Sequence, residues 1–288
     1  VYLNDRTTVS AAYRYRSLND DEFNSASVES LTTTDGIDTT STTDTTTQTT
    51  DLKVRGHEFE GQLDHRWDWR TAVSLSGGVA QFENRSSSRF NGEPDPFPLA
   101  SVKVALPVAE LGNLSLTGER GYVGTAGAVL DDQGESSARA RMALEPIDRI
   151  ETITDYRFAR YDDGNLRNSA IQQVLRRVWD EPKVRVGYQF RYDDARDEDP
   201  FFYTPKQFIG NDGVIAIDVK PAPYMKLGAF TTVGVGQEQD SDSQVQASVV
   251  GEGSVQLADR FGLYFNGGRS QSANYSNTSA SGGFFLTF

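Results

Sequence analysis

The stretch Val184-Arg185-Val186-Gly187-Tyr188-Gln189-Phe190-Arg191-Tyr192 decides the fold. Val184, Val186, Tyr188, Phe190 and Tyr192 fall on one side, and Arg185, Gln189 and Arg191 on the other. A repeat of two residues is that of a strand with one apolar face. Moving outward, Ile150, Tyr156 and Phe158 oppose Glu151, Asp155 and Arg157. Met225, Leu227, Ala229, Val233 and Val235 oppose Lys226, Gly228, Phe230 and Gly234. Phe59, Leu63 and Trp67 oppose Glu58, Glu60, Gln62, Asp64 and Arg66. Helical periodicity is nowhere sustained.

This pattern places strands near residues 6–17, 53–66, 70–84, 98–109, 113–122, 136–145, 149–160, 166–178, 183–193, 207–220, 224–236, 243–257, 260–269 and 276–288. Many run to about eleven to fifteen residues, longer than the roughly five or six of globular sheets. Such lengths suit a tilted membrane crossing. The expected fold is all-β: a transmembrane antiparallel up-and-down β-barrel of about fourteen strands, or sixteen if strands are merged, with residues 1–288 as one domain. A soluble β-sandwich would have to bury one face of these long strands against a second sheet.

The 288 residues carry a net charge of −13, and mean hydropathy is well below zero. No window approaches the roughly 18 apolar residues of a membrane helix, but barrel strands average out to polar. The absence of cysteine excludes disulfides and thiolate-bound metals and suits passage through an oxidising periplasm. The acidic balance argues against a nucleic-acid partner. The segment opens at Val1 with no Met, basic region or apolar stretch, so a signal peptide, if there was one, is expected to have been removed or to lie outside this segment.

Connections alternate in length. Tight turns are expected at Trp67-Asp68-Trp69, Leu111-Gly112-Asn113, Pro146-Ile147-Asp148, Asp180-Glu181-Pro182, Pro221-Ala222-Pro223 and Ala258-Asp259-Arg260. Longer polar segments lie at 18–52, 85–97, 123–135 and 194–206. Short turns belong on the periplasmic rim and long loops outside, which puts both termini on the periplasmic side. The Thr-rich segment at about 18–52 is expected to be a flexible external loop, since it has too little apolar mass to order itself. Trp67, Trp69, Trp179, Tyr224 and Phe261 lie beside the short turns, and Phe288 ends the final alternating run. Together they form the expected membrane-interface belt.

The side opposite the apolar residues is then the lumen. Its expected wall includes Glu58, Glu60, Asp64, Glu119, Arg139, Arg141, Asp155, Arg157, Arg185, Arg191, Asp218, Glu252 and Tyr264. Such a wall wets a pore and offers hydrogen bonds to sugar hydroxyls. Acidic patches would attract a partly deacetylated, cationic glycan, whereas charges paired across strands would only brace the wall. His57 and His65, the two histidines, fall on the lipid-facing side or its rim, and no serine–histidine pairing is indicated. The chain is therefore read as no enzyme, with no catalytic residues, metal site or cofactor.

The run Tyr156-Arg157-Phe158-Ala159-Arg160-Tyr161-Asp162-Asp163-Gly164-Asn165 resembles the C-terminal barrel of tetratricopeptide-containing exopolysaccharide export proteins. These are the exporters of poly-N-acetylglucosamine, cellulose and Pel-type polymers. Gly187 to Asp194, Phe202-Tyr203-Thr204-Pro205-Lys206 and Glu119 to Ala128 are similar to them as well. The resemblance covers roughly residues 55 to 288. It implies export of a secreted biofilm-type polysaccharide, sixteen strands, and a periplasmic tetratricopeptide scaffold upstream; no helical repeat lies within this segment. The implied location is the outer membrane of a Gram-negative bacterium, with outer-membrane lipid, lipopolysaccharide and the polysaccharide as partners. A general diffusion porin or small-solute channel, and a structural or adhesive barrel, are the competing readings.

Overall fold

A computed structural model of the chain describes residues 2–4, 7–21, 24–27, 46–49, 52–67, 71–86, 93–199, 204–239, 241–258, 261–271 and 276–287. Fourteen long strands form its wall. They are β1 (Thr7–Asp21), β2 (Leu52–Arg66), β3 (Ala72–Asn84), β4 (Phe97–Val108), β5 (Gly112–Tyr122), β6 (Gly134–Ile147) and β7 (Ile150–Tyr161). They continue with β8 (Leu166–Trp179), β9 (Lys183–Ala195), β10 (Phe208–Ala222), β11 (Met225–Gln237), β12 (Gln244–Ala258), β13 (Phe261–Gln271) and β14 (Ser276–Thr287). Each pairs antiparallel with its neighbour in sequence, and β14 returns to β1 with Gly283 opposite Arg14, which closes the cylinder. Tyr2–Asn4 pairs with the start of β1, and Asn24–Ser27 pairs with Thr46–Thr49 within the first long connection. The sixteen strands implied by resemblance are thus corrected to fourteen.

The register fixes which residues share a face. Phe59 is 57% exposed, Val233 56%, Val249 51% and Ile215 50%, whereas Glu58 is 2% exposed and Asp212 1%. Large apolar side chains outside and carboxylates inside are the reverse of a soluble protein. A sandwich is excluded, because the apolar faces meet no second sheet. A membrane supplies the missing partner for the outer face. At Gly283 a Cβ would sit 1.9 Å from the Tyr13 carbonyl oxygen, and at Gly234 2.0 Å from that of Asn211. Only glycine allows so close an approach of neighbouring backbones there.

Short connections at 109–111, 148–149, 180–182 and 223–224 gather at one rim with both described chain ends. Ala109 and Arg149 take left-handed φ values of 50° and 65° in two of these turns. The opposite rim carries the connections 123–133 and 162–165 and the described parts of 22–51, 85–96, 196–207 and 238–243. Leu18 and Leu52, expected in a flexible loop, instead lie in β1 and β2, and 28–45 of that loop lie outside the described residues. Trp67 and Trp179 are 55% and 67% exposed beside short turns, and Tyr224 is exposed within one. Phe261, partly exposed, packs on Phe284 with ring centroids 6.1 Å apart. Trp69 and Phe288 lie outside the described residues.

Candidate functional site

All thirteen expected lumen residues lie on the inward side of the register. Arg14 stands opposite Glu58, Ala12 opposite Glu60 and Thr8 opposite Asp64. Glu119 shares the inner face of β5 and β6 with Arg139 and Arg141. Arg141 faces Asp155, Arg139 faces Arg157, Arg191 faces Gly210, and Glu252 faces Gly228. Tyr264 donates to the Tyr13 carbonyl at 3.1 Å and accepts from the Arg14 Nε at 3.1 Å.

One arc of this wall is built of ion pairs. The Arg139 Nε donates to Asp155 at 2.7 Å as one prong of a fork, and Arg141 approaches the same carboxylate at 3.9 Å. Arg157 pairs with Glu135, and Arg167 makes a forked contact to Asp193 that begins at 2.7 Å. Arg185 reaches in two directions, to Glu151 on β7 at 2.8 Å and to Asp218 on β10 at 2.7 Å. The side chain of Asp212 is wholly buried and accepts from Arg191 at 2.9 Å, Gln189 at 3.2 Å and Gln246 at 3.0 Å. Such carboxylates are neutralised in place. Asp155, expected in the lumen wall, is met by Arg139 and Arg141, Asp218 shares Arg185 with Glu151, and Asp212 is met by Arg191.

A second ionic centre lies on β1 and β2. Glu58 takes Arg14 at 2.6 Å, Arg16 and the Tyr122 hydroxyl, and Arg14 also lies 3.9 Å from Glu60. Asp64 accepts from Gln62 at 2.8 Å and Ser74 at 2.5 Å.

The arc β11–β14 is different. Its inward positions are mostly small, among them Gly228, Thr232, Gly234, Ser248, Ser270 and Ser281, with Lys226, Phe230, Val250 and Tyr264 the larger side chains. Neutral contacts hold it, among them Thr232 to Ser248 at 2.7 Å and Ser281 to Asn266 at 2.6 Å. Glu252 is its one inward carboxylate and lies against Gly228, whose missing side chain leaves it room.

The segment 123–133, expected as an external loop, folds inward. It holds a one-turn helix, α1 (Ala126–Leu130), capped by Thr125, whose Oγ1 accepts from the Ala128 N–H at 3.3 Å. Ala126, Ala128 and Val129 are 0% exposed. Ala126 and Val129 pack among Leu18, Leu52, Val54, Ala80, Phe82 and Phe97 on β1–β4. Val123 and Ala128 pack with Ala159 and Tyr161 on β7. The Asp95 N–H donates to Asp132 at 2.8 Å and ties the segment to the neighbouring loop. Two signals in the sequence mark this: an apolar run with an N-cap inside a polar connection, and apolar residues at lumen-facing positions of several strand ends.

Both histidines face outward. His57 Nδ1 lies 2.6 Å from the Tyr13 hydroxyl, and His65 Nδ1 lies 2.8 Å from the Thr7 hydroxyl. Outside the strands, the Asp162 carboxyl is held below its ordinary value of 3.8 by a forked hydrogen bond from Arg120, both prongs 2.7 Å.

No family model matches the chain, and no curated protein matches it in sequence. Solved structures do. A bacterial polysaccharide outer membrane secretin superposes with a TM-score of 0.58 at 10% identity, over 96% of this chain and 98% of the other. The COG4313 outer membrane channel of Pseudomonas putida F1 superposes with a TM-score of 0.51 at 10% identity, over 99% and 97%. Identities this low speak to fold and not to cargo. Closed sheet, inverted burial and these likenesses agree, and the chain is a β-barrel of the Gram-negative outer-membrane kind.

Proposed function

We propose that the barrel is a passive outer-membrane conduit through which a secreted polysaccharide leaves the cell. The observation that carries this reading is the division of the lumen. One arc is ion-paired, and the other offers mainly hydroxyls, amides and backbone, with Phe230 and Val250 among them and almost no net charge. A hydrated glycan exchanges water for such groups at little cost, because each lost hydrogen bond to solvent is replaced. Charges already satisfied by neighbours give it no strong point of arrest. Conduction requires binding weak enough to leave. A polysaccharide outer membrane secretin shares this fold over nearly the whole of both chains, so the fold itself is compatible with that cargo.

A small-solute channel is the second reading, and a fold shared with the COG4313 outer membrane channel is compatible with it as well. Single-channel recording in planar bilayers separates the two. For an exporter, linear oligosaccharides should block the current, with dwell times that lengthen as the oligomer grows. Weak block independent of oligomer length would give the small-solute reading, and an absence of conductance would overturn both.

A further inference from the structure

The inward fold of 123–133 bears on how much of the lumen is open. Fourteen strands enclose more space than side chains alone fill, though less than a sixteen- or eighteen-stranded porin. The wall prepares a seat for α1. Leu18, Leu52, Val54, Phe82 and Phe97 occupy inward positions near the long-loop rim, where the rest of the arc would be polar. Lifting α1 away would put these side chains, and Val129 with them, into water. Glu58, itself buried, accepts from the hydroxyl of Tyr122, the residue before this segment, and pairs with Arg14 and Arg16. The second anchor, on Ala159 and Tyr161 of β7, holds the far side of the segment. A gate would have to break both anchors in every opening. On the remaining arc many inward residues are small, among them Gly236, Ser248, Gly268, Ser270 and Ser279, with Phe230 and Val250 the larger ones.

We propose that residues 123–133 are a stationary part of the wall, a fixed constriction that confines passage to the strip along β11–β14. A strip rich in glycine and serine, narrowed by Phe230, Val250 and Tyr264, with a packed loop across from it, admits a single unbranched saccharide chain or a small solute. Branched or folded polymer is excluded. This inference rests on the channel reading, and its test is arranged so that the two fail separately.

The chain has no cysteine, so single reporters are clean. Val129→Cys and Ser270→Cys are each reconstituted in bilayer vesicles and treated with a water-soluble maleimide. Their folding is verified by the heat-dependent gel shift of an intact barrel. The Ser270→Cys thiol should react at once, and the Val129→Cys thiol more than about 100-fold more slowly, as for a site reached only by local opening. Comparable rates would overturn the proposal. Ala128→Cys, facing β7, reports independently if Val129→Cys does not fold. In planar bilayers, a polyethylene-glycol maleimide on Ser270→Cys should remove more than about half of the conductance, and an unchanged current would also overturn the proposal. Absent conductance in the untreated chain would instead remove the channel reading itself.

Discussion

The arc β6–β9 and the arc β11–β14 are made of the same element, with the same outward alternation of apolar residues, yet their inner faces are opposites. Asp155, Glu135 and Asp193 each answer an arginine on an adjacent strand, while Thr232, Ser248, Ser281 and Asn266 make neutral contacts. The lesson is that stability and passage are assigned to different parts of one wall. A charged group in a lumen keeps its place only if a neighbour holds it, since desolvation and repulsion would otherwise dominate. A group that a polymer must slide past should be small and uncharged. Outward positions do not distinguish the two arcs, because hydrocarbon asks the same of both.

The largest effect should come from breaking the ion-paired arc. Asp155→Ala removes the carboxylate that holds Arg139 at 2.7 Å and lies 3.9 Å from Arg141. The guanidinium groups of Arg139 and Arg141 then lack compensation, while Arg157 keeps Glu135. Because Arg139 is partly solvated, a loss of about 2–3 kcal/mol is expected in urea unfolding from lipid vesicles, against less than about 0.5 kcal/mol for Ser254→Ala on the other arc. Equal losses would erase the division of labour. The converse substitution sharpens it. Ser248→Trp on the small-residue arc should cut single-channel conductance by roughly half or more, with the gel shift of the folded barrel retained. A Trp that leaves conductance untouched would place the path elsewhere.

The smallest effect belongs to the rim. Asp162 has a folded-state pKa lowered by Arg120, so its contribution is present above the ordinary value of 3.8 and is lost as pH falls through the depressed value. Asp162→Asn should therefore cost less than about 1 kcal/mol near neutral pH. The difference from the parent should vanish in strongly acidic buffer, as read by paired unfolding curves. A difference that grew on acidification would reverse the sign of the account.

Much of this was legible in the sequence. The run Val184–Tyr192 and its counterparts yield the strand positions, because a period of two needs no knowledge of partners. The inward face of Glu58, Asp155 and Arg185 follows from the same parity, and the short turns mark one rim. The pairings do not follow. That Arg185 reaches Glu151 and Asp218, or that Asp212 collects three donors, depends on register between strands, which local pattern leaves open. The inward loop was missed for a related reason. Val123 to Leu130 sits between two strands, and average loop polarity hides a five-residue helix whose stability comes from β1–β4 and β7 and not from itself. Leu18, Val54, Phe82 and Phe97 on the polar side of their strands were the trace it left.

The central claim is that each strand presents one side to hydrocarbon and the other to water within a closed cylinder. Fluorophores attached one at a time to cysteines at residues 229 to 235 of β11, in bilayer vesicles, test it most directly when quenched by an aqueous iodide or a lipid-borne nitroxide. Positions 229, 231, 233 and 235 should respond to the lipid quencher, and 230, 232 and 234 to iodide. A smooth profile without alternation, or one with both quenchers acting on the same residues, would contradict the barrel and the lumen together.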